Sequence, residues 1–186
     1  MGATLKIFYS NPYDLDKNIG KAYNDYIKSL KADDDDWIVI QDGDMLYLTP
    51  DWGKKIYDAL LLDGDKFGLV GCYTNRLRST DHLHENKFSF NNDMRAHYEI
   101  ARTYQGEGIA ETKHLVAGVF MAFKYKTWKA VGGFNEANLG FDSIFNMKIK
   151  DIGLKVGLIR SLYVYHLYRI WADTEPWNEK KHLLNK

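Results

Sequence analysis

The chain has 186 residues, enough for one domain with a substantial core and no need of disulfides. Its 25 basic and 25 acidic residues cancel, which removes any global argument for nucleic acid or an anionic membrane surface as partner. The one cysteine, Cys72, excludes an internal disulfide and fits a reducing compartment, and no run approaches the roughly 20 apolar residues of a bilayer span. With no long apolar segment of the secretion-signal kind at the N-terminus, a cytoplasmic protein is expected.

Residues 5–9 form an apolar-rich run read as a first strand, broken by Ser10-Asn11-Pro12. Asp16 is a candidate cap for a helix in which Ile19, Ala22, Tyr23, Tyr26, Ile27 and Leu30 recur at helical spacing. Four acids, residues 33–36, read as a solvated turn. Residues 37–41, Trp-Ile-Val-Ile-Gln, have the branched apolar content of a buried strand, which ends at Asp42-Gly43-Asp44. Thr49 as cap and Pro50 at the first helical position predict a helix carrying Trp52, Ile56, Ala59 and Leu60 on one face.

A strand over 67–73 follows, with Cys72 as a small buried residue. Residues 75–92 are polar and read as a long loop, a place where lids and acceptor loops are found. A helix over 93–104 and a strand over 115–123 come next. Beyond Gly132-Gly133, the spacing of Phe141, Ile144, Phe145, Ile149 and Ile152 predicts a helix closed by Gly153. Strand-like runs lie at 155–159 and 162–166, and an aromatic, charged tail starts at Arg169. No repeat or linker divides the chain. Strands alternating with helices imply an α/β fold with a mostly parallel central sheet flanked by helices.

Asp42 and Asp44 stand two apart at a strand end. In an extended segment both point to one face, and Gly43 allows a ligand close approach. Two carboxylates so placed suit a hard divalent ion such as Mg²⁺ or Mn²⁺, which can bridge a diphosphate. Strand ends are also where open α/β sheets bind ligands. An acidic turn is the plainer reading of the same tripeptide.

The surrounding segments carry a resemblance. Residues 38–45, Ile-Val-Ile-Gln-Asp-Gly-Asp-Met, look like the DxD segment of GT-A glycosyltransferases. Asn18-Ile19-Gly20-Lys21-Ala22-Tyr23-Asn24 is similar to the N-x-G-x-A-x-N helix of family 2 and related enzymes. Gly118 to Lys124, then Trp128, then Val131-Gly132-Gly133-Phe134-Asn135-Glu136 resemble their acceptor-side strand and the turn after it. Gly140-Phe141-Asp142 falls where they carry an acidic "ED" pair, and His166 matches a late histidine. The order agrees over roughly residues 5–170, leaving 171–186 as a tail on a single domain.

The resemblance implies a GT-A, Rossmann-like nucleotide-diphospho-sugar transferase fold. It implies a metal-dependent, inverting transfer of a sugar from a nucleotide-diphosphate donor to a glycan or other hydroxyl acceptor. Asp44 would be the principal ligand of a divalent metal such as manganese, with Asp42 on the metal, the ribose or both, and His166 completing the set. A buried, hydrogen-bonded histidine is the plainer reading of His166. The other histidines, 82, 84, 97, 114 and 182, have no comparable placement and read as surface or loop residues. Asp142 is the candidate general base, or else an acid stabilised by a helix N-terminus. Asn135 and Glu136 are alternatives to it, or donor contacts.

Ser10, Asn11 and Pro12, with Asn18 and Lys21 from the next helix, would meet the nucleotide, and Gly133 and Glu136 the donor. Tyr9 or Tyr13 would stack on the base. The acceptor would meet loop 75–92 and the region of Trp128, with Arg76 and Arg78 as possible anion contacts or plain loop residues. Two departures stand out. The first strand runs almost directly into the 18–24 helix, as in a trimmed core similar to small glycosyltransferases of viruses and phages. Phe141 replaces the usual Glu of the ED pair. The rival readings are a nucleotidyltransferase, for which no Gly-rich basic phosphate loop is present, and a catalytically inactive nucleotide- or glycan-binding module.

Overall fold

The structure is a computed structural model, and it describes residues 5–77, 82–136 and 139–168. Arg78, His182 and the tail from Arg169 lie outside the described residues. The strands are β1 (Ile7–Ser10), β2 (Trp37–Gln41), β3 (Met45–Tyr47), β4 (Phe67–Thr74), β5 (Ile109–Glu111), β6 (Phe120–Lys124) and β7 (Lys155–His166). The helices are α1 (Ile19–Ser29), α2 (Trp52–Asp63), α3 (Met94–Thr103), α4 (Tyr125–Ala130) and α5 (Phe141–Asp151).

All seven strands join one sheet in the order β1-β2-β6-β4-β7-β3, with β5 pairing β7 as well. The chain is thus α/β, with helices flanking one sheet. The mostly parallel sheet expected from the sequence is corrected to a mixed one. Only β1–β2 and β4–β7 are parallel, while β2–β6, β4–β6, β3–β7 and β5–β7 are antiparallel. Hydrophobic pattern marks a buried strand but not its direction, and β6 runs against both of its neighbours.

Burial explains the near-continuous apolar strands. In β2, Trp37 and Val39 pack into one core cluster and Ile38 and Ile40 into another. In β6, Phe120 and Ala122 take the first side, Met121 and Phe123 the second. The first cluster includes Ile56, Ala59 and Leu60 of α2. The second includes Tyr23 and Ile27 of α1 and Phe145 and Ile149 of α5. Alternate side chains of the central strands therefore meet helices on both faces, as period-two geometry demands. Among the described residues, no helix is long and apolar enough to cross a membrane.

Several local expectations shift. Asn18, rather than Asp16, caps α1, its Oδ1 accepting from the Lys21 amide at 3.0 Å. Thr49 caps nothing: its hydroxyl donates to the Tyr163 carbonyl and accepts from the Tyr163 amide, both at 2.9 Å. It thereby pins the chain before α2 onto β7, and Asp51 at φ +54° precedes the helix instead. The strand expected over 115–123 is β6, beginning at Phe120. Residues 115–119 are held by Asn146, which bonds both backbone groups of Val116 at 2.8 Å. The two runs at 155–159 and 162–166 are one strand, β7, whose register against β4 shifts between Gly71 and Tyr73. The short strands β3 and β5 and the six-residue α4 have too few residues to show a period.

The Asp33–Asp36 run is not merely a solvated turn. Asp34 pairs with Lys129, Asp35 with Lys124 (3.1 Å) and Lys126 (2.6 Å), and Asp36 with Lys6 (3.3 Å). Asp36 is buried, and its carboxylate also accepts from the Asp33 amide at 2.8 Å.

Candidate functional site

Beyond Gln41 the chain turns through Asp42-Gly43-Asp44 into β3, which pairs with the far end of β7 so that Met45 faces His166. The Leu167 amide donates to the Asp44 carbonyl at 2.8 Å. Two segments more than 120 positions apart are thereby sewn together. His166 Nε2 lies 3.2 Å from Asp44 Oδ1 and 3.7 Å from Asp42 Oδ2.

The ring of His166 is buried and oriented. Its Nδ1 lies 2.9 Å from the Arg76 carbonyl, which can only accept, so Nδ1 carries a proton and donates it. Its backbone is clamped as well: the His166 amide donates to Asn75 Oδ1 at 2.7 Å, and Asn75 Nδ2 donates to the His166 carbonyl at 3.3 Å. This leaves Nε2 facing the two carboxylates. A carbonyl behind a ring nitrogen is the support that metal-binding histidines commonly have.

The donor set fits a hard or borderline divalent ion. Adjacent ligands in an octahedral shell at roughly 2.0–2.2 Å from the ion stand about 3 Å apart. The Asp44–His166 separation of 3.2 Å is close to that, and all three donor atoms lie within 4.8 Å of one another. Two carboxylates and an imidazole suit Mn²⁺ or Mg²⁺ better than a soft, thiolate-seeking metal.

Electrostatics separate the two acids. Burial pushes the Asp42 carboxyl up to about 6; His166 opposes this, while the charges of Asp44 and Asp142 add to it. The Tyr23 hydroxyl hydrogen-bonds Asp42, and burial holds that hydroxyl far above the usual phenol range. Asp44 goes the other way, held below the usual carboxylate range by its hydrogen bond from His166.

Asp142 stands in the first turn of α5, after Gly140 at φ +76°, and its charge reaches both Asp42 and Tyr23. Its Oδ2 accepts from the Gly118 amide at 3.2 Å and its Oδ1 from the Ser143 amide at 2.7 Å. Gly118 precedes Val119, whose carbonyl accepts from the Asp42 amide at 3.1 Å. A short relay of backbone thus ties Asp142 to the Asp42 turn, and the helix-terminus role and a place at the site coexist.

Of the expected nucleotide contacts, the β1 loop emerges beside the Asp42 turn. β1 and β2 are parallel with Ser10 opposite Ile40, so Ser10, Asn11 and Pro12 leave the sheet at the edge where Asp42 does. A side chain at Gly43 would meet Asn11 Nδ2 at 2.8 Å. Asn18 and Lys21 are otherwise engaged: Asn18 caps α1, and the Lys21 ammonium pairs with Asp25 at 2.6 Å. Tyr13 is exposed, while Tyr9 meets Trp52 edge-on at 5.6 Å.

Gly133 and Glu136 belong to a joint with α1. Asn24 Oδ1 accepts from the Trp128 indole (3.1 Å) and the Phe134 amide (2.9 Å), and its Nδ2 donates to the Phe134 carbonyl and Glu136 Oε1. A Cβ on Gly20 would come within 2.0 Å of the Asn135 carbonyl oxygen. The 18–24 and 131–136 motifs are two halves of one contact, and Trp128, expected near an acceptor, is buried in it.

Other expectations are corrected by burial. Arg76 is fully buried, its Nε donating to the Ser89 carbonyl at 2.8 Å. His82 and His97 are buried too, His97 between the Tyr163 hydroxyl (2.8 Å) and the Asn91 carbonyl (2.7 Å). Reading the sequence missed Tyr23 as a partner of Asp42, Asn75 as the clamp of His166, and Asn146 as the brace of 115–118. The signal available for Asn75 was its position, a polar pair Asn75-Arg76 directly after a buried strand.

A comparison with models of protein families finds no match to this chain. A search among curated proteins finds none either.

Proposed function

We propose that the chain is a GT-A glycosyltransferase that works in the cytoplasm, using a divalent metal to transfer a sugar from a nucleotide-diphosphate donor to a hydroxyl acceptor. The observation that carries this reading is the convergence of Asp42, Asp44 and the oriented Nε2 of His166, beside Asp142. Asp42, Asp44 and His166 would hold a divalent ion there, and its positive charge would favour departure of the nucleoside diphosphate. The Arg76 carbonyl orients the His166 ring so that Nε2 is directed to that position. Ser10, Asn11 and Pro12 flank the nucleotide. Asp142, its oxygens steadied by two backbone amides, takes the proton of the attacking acceptor hydroxyl on one carboxylate oxygen.

The test is thermal stabilisation by a panel of nucleoside diphosphates and nucleotide sugars, with Mn²⁺ and with EDTA, followed by donor hydrolysis. A ligand at 100 times its Kd stabilises by about 2.7 kcal/mol. One nucleotide should raise Tm only with metal, and not in Asp44→Ala. Binding without hydrolysis or transfer marks an inactive module instead, and no shift with any nucleotide overturns the reading.

A further inference from the structure

A second cleft, of about 230 Å³, opens beside the His166 clamp, lined by Asn75, His84, Lys87, Phe88, Ser89 and Tyr163 among others. At roughly 30 Å³ per water it holds about eight waters, the space of one sugar ring and too little for a nucleotide. Half-buried Phe88 gives it aromatic surface, and Tyr163 borders it. Tyr163 is buried in β7 and stacks on Tyr104 with ring centres 5.4 Å apart. His84 is set by its Nδ1 at 3.1 Å from the Tyr104 hydroxyl. Around this surface stand the His84 imidazole, the Ser89 hydroxyl and a loose Glu85–Lys87 pair at 3.8 Å. Donors and acceptors of both signs around an aromatic wall suit a neutral polyhydroxylated ring. An anionic ligand would call for converging cations, and a peptide for a longer groove.

Two further observations bear on it. Glu85 and Asn86 take consecutive left-handed conformations, φ +52° and +55°, and such backbone strain gathers at ligand sites. Asn75 is shared: it borders the cleft, and its side chain holds both backbone groups of His166. An occupant of the cleft therefore lies one residue away from His166.

Resting on the glycosyltransferase reading, we infer that this cleft binds a carbohydrate acceptor by one of its rings, so that the acceptor is a glycan. Amide chemical shifts of the full chain, titrated with methyl glucosides, galactosides and mannosides and with N-acetylglucosamine, test it. The titration is run alone and with Mg²⁺ plus each of UDP, GDP and CDP. At millimolar sugar, shifts should centre on Asn75, His84 and Ser89, and His84→Ala should weaken binding about tenfold. The exposed Lys87→Ala, which leaves the core untouched, should weaken it less. No shift under either condition, shifts centred elsewhere, or binding indifferent to both variants overturns the cleft. Metal-dependent nucleotide binding without sugar binding removes the cleft and leaves the glycosyltransferase reading. Sugar binding in the cleft without nucleotide binding keeps the carbohydrate site and removes the acceptor role.

Discussion

β2 carries acids at both of its ends, and the two ends treat them differently. Before Trp37, Asp34, Asp35 and Asp36 each meet a lysine, with Lys124 also reaching Asp65. After Gln41, Asp42 and Asp44 face His166, Asp42 also meets the Tyr23 hydroxyl, and among the described residues no lysine or arginine pairs with them or with Asp142. The first cluster is neutralised within the chain. The second gathers carboxylates, partly out of solvent, with an imidazole as the basic side chain beside them. Both ends carry aspartates, so it is the partner that separates them: lysines at the first, an imidazole at the second.

The largest expected effect comes from deleting a donor at the second end. Asp44→Ala or His166→Ala should abolish Mn²⁺ binding in calorimetry, with the metal-dependent rise in Tm. Retained Mn²⁺ affinity in both would erase the contrast between the ends. Next is the support behind the ring. Asn75→Ala frees the backbone of His166 and should weaken Mn²⁺ binding by about tenfold, the low side of what outer partners of metal ligands contribute. Because it also strips hydrogen bonds from buried backbone groups, it should cost about 1–3 kcal/mol in urea unfolding.

How far the sequence showed this contrast follows from where each partner lies. β2, α1 and the Asp42-Gly43-Asp44 turn are legible because branched apolar runs and helical spacing are local signals. The neutral fate of residues 33–36 was not, since Lys124, Lys126 and Lys129 lie about 90 positions onward and pair only once β6 runs antiparallel to β2. That strand direction was itself hidden, as periodicity has no sign. His166 was reached by resemblance, but its clamp was not, because Asn75 is 91 positions away. Lys21 looked free for phosphates and is instead paired four residues along its own helix, a partner that spacing alone could have supplied.

A smaller effect reads the cost of keeping Asp42 charged. Its carboxyl stands near 6 in the folded protein against 3.8 unfolded, a rise. A raised carboxyl favours the fold while protonated, and that stability is lost as pH climbs from about 4 through 6. The full shift corresponds to about 3 kcal/mol, and solvent at a side chain 31 % exposed reduces it to about 1–2 kcal/mol. Metal-free Asp42→Asn should therefore be more stable than the parent at pH 8 by about that amount and equal to it near pH 4. Unfolding by urea at both pH values checks this. A less stable variant at pH 8 would mean that Asp42 is satisfied by the protein alone, like the acids at the other end.

The smallest effect belongs to the first end. Asp34 and Lys129 are largely exposed, and exposed pairs contribute little because water already solvates both charges. Asp34→Asn and Lys129→Ala should leave Mn²⁺ binding and nucleotide-dependent Tm shifts as in the parent, in low salt and in high. Lys124 sharpens the point: its side chain is only 11 % exposed and lies over the Trp37 ring at 5.8 Å, so Lys124→Ala should lower Tm, by loss of packing as much as of charge. That loss should appear equally with and without metal. If it instead changed Mn²⁺ affinity, the two ends of β2 would be coupled through the strand, and the division between the two sets of acids would fail.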